Sequence, residues 1–207
     1  KRIMMGFMLA TAFLSMWISN TASTMMMLPG AMAVVRHIAI DASLNGEKNP
    51  DSQKTIENGL GLVLMLGLAY SASIGGVGTL IGTPPNIVFA GFYKNLFPDN
   101  PEISFFQWMM LAVPIVIVFI PLVWVYLCRF VSPVPLKNIS AGSHEIIQQE
   151  LDDLGSMNHA EKIVAGVFCL TAFLWIFRKP ILMGEFVIPG WSGLFAHPKY
   201  LHDSTVA

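Results

Sequence analysis

Charge is what this sequence has least of. Lys, Arg, Asp and Glu together make up 12% of its 207 residues, roughly half of the about 25% usual in a soluble domain. Twelve basic against 13 acidic residues leave a net charge of -1. There is no basic run and no RNA motif, so no nucleic-acid partner is expected. Cysteine is nearly absent: Cys128 and Cys169 both fall in apolar segments and read as small core residues. Neither a disulfide nor a metal site is therefore predicted from them. The histidines, His37, His144, His159, His197 and His202, are scattered outside the apolar runs, and their spacing gives no proton relay or metal set. No acid–base pair lies in an apolar segment, which argues against a membrane-embedded enzyme. His144, Glu145 and Asp152 read as a solvated helix face rather than a catalytic set. An initiating methionine is also missing; the chain opens on Lys1-Arg2, within an element, and a segment of a longer protein is the expectation.

What is abundant is apolar surface. Hydrophobic residues make up 54% of the chain and mean hydropathy is +0.61. Charge is segregated between apolar runs, so the chain reads as an all-α, multi-pass protein of the cell membrane, with the lipid bilayer as its first partner. Two of the runs are interrupted. In Ser15-Met-Trp-Ile-Ser-Asn-Thr-Ala-Ser-Thr-Met-Met-Met-Leu-Pro29, hydroxyls and an amide occupy the middle. About sixty residues on comes Ser73-Ile-Gly-Gly-Val-Gly-Thr-Leu-Ile-Gly-Thr-Pro-Pro-Asn86. Irregular polar backbone survives at membrane depth only when buried in protein or lining a wet cavity. Paired interruptions of this kind mark the binding sites of secondary transporters.

The apolar runs 3–18 and 21–35 are each shorter than the roughly 20 residues a helix needs to span. Lys1 and Arg2 flank one, Arg36 and His37 the other. A re-entrant hairpin over 1–37, entering from the cytoplasm with Ser19-Asn20-Thr21 at its tip, is the economical reading. One kinked span of 3–35 is the alternative, but at about 1.5 Å per residue it would reach near 50 Å. Then follow a polar loop (38–58), a broken transmembrane helix (59–97) and a spanning helix within 98–130. Its Phe105, Phe106 and Trp108 at one end and Trp124 and Tyr126 at the other suit the two interfaces. A cytoplasmic linker (131–160) carries a short amphipathic helix over 143–157. A further span (161–179) and a loop (180–207) complete the order. Charge supports this orientation: Lys1, Arg2, Arg36, Lys48, Lys54, Arg129, Lys137 and Lys162 fall inside, eight in all, against Lys94, Arg178, Lys179 and Lys199 outside. Arg178 and Lys179 go against the rule.

At the second interruption, Pro84 and Pro85 lack N–H groups and disfavour helix before them, so helix breaks near Gly82-Thr83 and can restart at either proline. The break is expected to free carbonyls on one side and helix N–H groups on the other. Carbonyls and helix C-terminal ends suit a small cation; helix N-termini suit an anion. No basic residue lies near either break, so an anion would be held by dipoles and hydroxyls with a bound cation compensating it. Simpler roles are open to neighbours: Ser23 and Thr24 as helix-to-helix hydrogen bonds, Gly75, Gly76 and Gly78 as close-packing positions, and Met25 to Met27 as core filler.

The two motifs, SMWISNTASTMMMLP and SIGGVGTLIGTPPN, taken in order with the loop between them, resemble the signatures of the divalent anion:sodium symporter family, over roughly residues 1–130. That resemblance implies sodium-coupled carriage of dicarboxylates, citrate or sulfate by alternating access, in a homodimer whose protomers contain two inverted repeats. It implies Na⁺ as coupling ion, held by Ser15, Ser19, Asn20 and the Gly82 carbonyl. It implies a small anionic substrate, of the succinate, malate or fumarate class, held by Asn20 and Thr21, with Thr83 and Pro84 beside them. Departing from the family, this sequence has no second Ser-Asn-Thr and no second Thr-Pro region. It is therefore expected to correspond to part of the N-terminal repeat, with one sodium site and half a substrate site. A sulfate carrier of the same family, a channel, and an arsenite-permease-like protein are the alternatives.

Overall fold

The computed structural model describes residues 2–45, 50–131, 152, 155–183, 186–195 and 201. Most of the amphipathic helix expected over 143–157 lies outside these. Four helices among the described residues are long and apolar enough to cross a membrane: Asn20–Ile40, Glu57–Val77, Phe105–Val131 and His159–Ile176. The fold is that of a helical multi-pass membrane protein, with one small β-ribbon near its end.

α1 (Arg2–Ser15) and α2 (Asn20–Asn45) form a helical hairpin around the turn at 16–19. Met4, Met8, Ala12 and Ser15 recur at three- and four-residue spacing and are all buried, giving α1 one inward stripe. α3 (Pro50–Val77) packs against both arms. Gly67 lies against Met4 and Met8 of α1, and Gly61 lies against Val35 of α2. Gly75 meets Ala12 and Gly76 meets Asn20, so α3 runs parallel to α1 and antiparallel to α2. α5 (Phe105–Tyr126) closes the bundle with Ala112, Val116 and Ile120, and a π-helical turn, Leu127–Val131, buries Leu127 beside α1 and α3.

The second arm is longer than its apolar run. α2 continues through Arg36 to Asn45, and α3 begins at Pro50, so most of the polar loop expected over 38–58 is helix. Ala31, Val35, Ile38 and Ala39 remain buried, and Arg36 faces Glu57 at 3.9 Å. Polar composition marked where the apolar run stops, whereas the helix continues past it, with Ile38 and Ala39 still buried. α2 is 26 residues long, about 39 Å.

The break after α3 is also wider than expected, covering 78–83 before α4 (Pro84–Leu96). Pro84 opens α4 as its position before a helical run suggested. α5 and α6 (His159–Ile176) each start at a capping box. Ser104 pairs reciprocally with Gln107 at 3.1 and 2.9 Å, and Asn158 with Glu161 at 2.9 Å both ways. These satisfy orphan N–H groups and fix where the helices begin.

The tail read as a loop contains structure. β1 (Ile181–Met183) pairs antiparallel with β2 (Phe186–Ile188), and a 3₁₀ turn follows at Trp191–Leu194. That turn caps the end of α6: Trp191 Nε1 donates to the Leu174 carbonyl at 2.7 Å, and the Trp191 and Ser192 amides donate to Phe177 and Arg178. Arg178 is buried and donates to the Leu201 carbonyl. Lys179 bonds Glu102 at 2.9 Å, and Lys94 bonds the other oxygen of the same carboxylate. The two cations that defied the charge rule are thus engaged in tertiary structure.

Those ammonium groups, Lys94 first and then Lys179, hold the Glu102 carboxyl down from 4.5 to about 2. A depressed carboxylate pKa stabilises the fold above the ordinary value, and that contribution is lost as pH falls from about 4.5 through about 2. Both partners are partly solvated, so the effect is local. We expect Glu102→Gln to raise hydrogen exchange in the 177–195 segment at neutral pH while leaving α1–α3 unchanged. Acidification should do the same to the parent protein after correction for intrinsic rates.

Candidate functional site

The hairpin turn sits directly on the end of α3, and glycine makes that possible. A Cβ at Gly75 would land on the Ala12 carbonyl, one at Gly76 on the Asn20 amide oxygen, and one at Gly78 2.9 Å from Met16. One at Gly82 would lie 2.5 Å from the Gly76 carbonyl and 3.0 Å from that of Ser15. These four positions let helix end, turn and break approach at backbone distance. Trp17, in the turn, stacks on Phe105 at 6.3 Å and meets Phe168 edge-on at 5.6 Å; Phe105 in turn stacks on Trp175. Aromatic contacts therefore tie the tip to α5 and α6.

Three of the predicted residues come together. Ser15 is fully buried, and its Oγ lies 2.7 Å from Asn20 Oδ1 and 2.7 Å from the Ala72 carbonyl. A hydroxyl has one proton and can satisfy only one of these acceptors. When it donates to Ala72, the Ser15 and Asn20 oxygens confront each other as two acceptors, an arrangement that a cation relieves. Gly82, also buried, brings its backbone beside the Ser15 carbonyl. The Ser15 hydroxyl is buried and the Asn20 amide partly buried; both oxygens are neutral, a donor set that fits a small monovalent cation.

Ser19 is placed differently. Its Oγ accepts from the Ala22 amide at 3.3 Å, and its carbonyl accepts from the Ser23 amide and hydroxyl at 3.0 and 3.1 Å. Ser19 thus serves the start of α2 as a cap. Thr21 is exposed in the first turn of α2; Pro84 is exposed at the start of α4. Thr83 precedes α4 in extended conformation (φ -148, ψ 142) and its side chain makes no capping bond.

Several expectations change here. Ser23 and Thr24 do not bridge helices: each hydroxyl bonds a carbonyl four residues back in its own helix, the local alternative open to such side chains. Met25 and Met26 are 68% and 57% exposed, and only Met27 packs on the core. Phe105 is 2% exposed beneath the tip, so it is a core residue and not an interfacial anchor. Trp108 donates to the Val77 carbonyl at 2.8 Å.

The break itself is more completely bonded than its sequence suggested. The Gly75 carbonyl accepts from the Gly78 amide, and Val77 from Trp108. Asn86 Nδ2 reaches the carbonyls of Gly76 at 2.9 Å and Thr79 at 2.7 Å. The carbonyls expected to be free at the end of α3 are therefore mostly taken. The N-terminus of α4 is likewise spent: Pro84 and Pro85 have no N–H, and the Asn86 amide bonds Thr83. Donors for an anion must come instead from the first turn of α2 and from hydroxyls. Thr79, Asn86 and Trp108 were missed as architects of the site. Asn86, a polar residue in the first turn of α4 followed by an apolar run, was an available signal.

A multi-pass helical protein with a buried polar cluster where a hairpin tip meets a broken helix has the architecture of a membrane carrier. Residues 1–200 match the citrate transporter family, CitMHS, and the chain belongs to it. It is 40% identical over 191 residues to the sodium-dependent dicarboxylate transporter SdcS of Staphylococcus saprophyticus, and 39% identical over 193 residues to that of Staphylococcus aureus. Each match covers 92% of this chain and 34% of the relative, so the chain spans about a third of the length of these relatives.

If the glycine contacts seat the tip, Gly75→Ala and Gly76→Ala should each destabilise the folded protein by about 1–3 kcal/mol through overpacking. Gly91→Ala, where nothing lies within 4 Å, should be neutral or slightly stabilising. Thermal unfolding of the three variants in one detergent provides the check.

Proposed function

We propose that this chain is the ion-binding and half of the substrate-binding portion of a secondary carrier that takes up a di- or tricarboxylate together with Na⁺ by alternating access. The observation that carries the reading is the meeting of the neutral Ser15 and Asn20 side-chain oxygens beside the backbone of Gly82, where two interrupted helices come together. Na⁺ binds at that cluster. It draws the Asn20 carbonyl oxygen away from the Ser15 proton and so sets the shape of the tip. The anion then binds to the first turn of α2, with Asn20 and Thr21, and beside Thr83 and Pro84. α4 contributes its dipole and the Thr83 hydroxyl but no amide donor. Among the described residues no Lys or Arg lies at this cluster, so the adjacent cation compensates a carboxylate there. The names of the relatives and of the family support a carboxylate substrate over sulfate. The carrier acts in the cell membrane as a homodimer of inverted repeats, with this segment in the N-terminal one.

Substrate affinity of the full-length carrier should rise with Na⁺ when choline holds ionic strength constant, and by linkage substrate should tighten Na⁺ binding by the same factor. Affinity that ignores Na⁺ rejects the scheme; affinity that follows protons instead indicates a proton-coupled carrier. Asn20→Ala and Thr21→Ala each remove a substrate donor, at a cost of roughly 1–3 kcal/mol in substrate binding without unfolding.

The hairpin is proposed to be re-entrant from the cytoplasm. A single cysteine at Ala22 should then be reached by impermeant reagent from the cytoplasmic side in at least one conformational state. Labelling from outside alone, in every state, contradicts this orientation.

A further inference from the structure

Thr79 lies in the middle of the break, is fully buried, and belongs to none of the residues assigned above to ion or substrate. Its hydroxyl uses both of its capacities across elements. It donates to the carbonyl of Met16 in the hairpin turn and accepts from the Gly82 amide at 3.1 Å. Its own carbonyl accepts from Asn86 Nδ2, which also holds the Gly76 carbonyl. Gly76, in turn, is the residue against which Asn20 packs. One chain of hydrogen bonds therefore runs from the hairpin turn through Thr79 to Gly82, and from Thr79 through Asn86 to the first turn of α4.

We propose that Thr79 is a positioning residue for the ion site: its hydroxyl locks the hairpin turn and Gly82 at one separation, so that the oxygens of Ser15, Asn20 and Gly82 stand ready for the cation. This rests on the Na⁺ site proposed above. Helix packing alone does not set that separation, because residues 78–83 have no regular backbone ladder of their own. Thr79 supplies the missing constraint with one hydroxyl that is donor to one side and acceptor to the other. Valine has nearly the same shape but neither capacity, whereas serine keeps both. The hydroxyl touches neither ion nor anion in this scheme, so its loss acts on ion affinity through geometry.

The test compares the full-length carrier with its Thr79→Val and Thr79→Ser variants, reconstituted in liposomes. Initial uptake is measured against Na⁺ concentration at saturating substrate, and against substrate at saturating Na⁺. We expect Thr79→Val to raise the half-saturating Na⁺ concentration about tenfold, the scale of one lost buried hydrogen bond, while the substrate half-saturation at saturating Na⁺ changes little. Thr79→Ser should restore most of the Na⁺ affinity. A purely structural role would lower the amount of folded carrier and the maximal rate, leaving both half-saturation values unchanged, and would overturn the proposal. So would serine and valine variants that weaken Na⁺ binding equally. If valine prevents folding, Thr79→Ser and Asn86→Asp carry the test; Asn86→Asp replaces the donor to Gly76 and Thr79 by an acceptor, and an unaltered Na⁺ dependence there overturns the proposal. A parent carrier that is indifferent to Na⁺ instead rejects the proposed ion site itself, which separates the two failures.

Discussion

Everything at the candidate site depends on the approach of three backbones that side chains would hold apart. The end of α1, the hairpin turn and the end of α3 meet through Gly75, Gly76, Gly78 and Gly82, and most of the Cβ positions at these glycines are already occupied by neighbouring carbonyl or amide oxygens. Close approach lets the side chains of a short turn reach across to another helix, as Ser15 does to Ala72. It also concentrates carbonyl dipoles in a small buried volume. In an apolar surrounding such dipoles are costly unless each finds a partner, and this cost drives the rest of the local design.

Partners come from unusual places. Asn86 reaches back from α4 to two carbonyls, Trp108 crosses from α5 to a third, and Thr79 joins the break to the hairpin. The broken helix is therefore not an open array of unsatisfied groups. It is a bonded frame, and beside it the one Ser15 proton has two acceptors, Asn20 Oδ1 and the Ala72 carbonyl, each at 2.7 Å.

The outer parts of the fold serve the same region from a distance. Trp17, Phe105, Phe168 and Trp175 connect the tip to α5 and α6, and the Glu102 carboxylate gathers Lys94 of α4 and Lys179, which follows α6. α6 has no buried residue of its own, and α4 buries only Asn86. Their apolar surfaces face outward in this chain, as expected of helices that meet lipid or further protein.

The sequence by itself determined the class of the protein and the places where its helices fail. Scarce charge and long apolar runs point to a bilayer; Pro84 and Pro85 mark where a helix restarts, because proline fits the first helical turn, whereas Pro29, Pro114 and Pro121 lie inside α2 and α5. Family kinship was likewise legible in two short motifs. The lengths of α2 and α3 were not: α2 runs on to Asn45 and α3 begins at Pro50, and hydropathy is blind to the burial that Ile38 and Ala39 gain in the bundle. Nor could local pattern tell that Phe105 is core, that Ser19 caps α2, or that the carbonyls of the break are already bonded. Those facts depend on contacts between residues tens of positions apart, such as Met16 with Thr79 and Val77 with Trp108. A hydrogen bond across such a separation exists only once the bundle has closed, so tertiary structure alone decided which polar groups remained for a ligand.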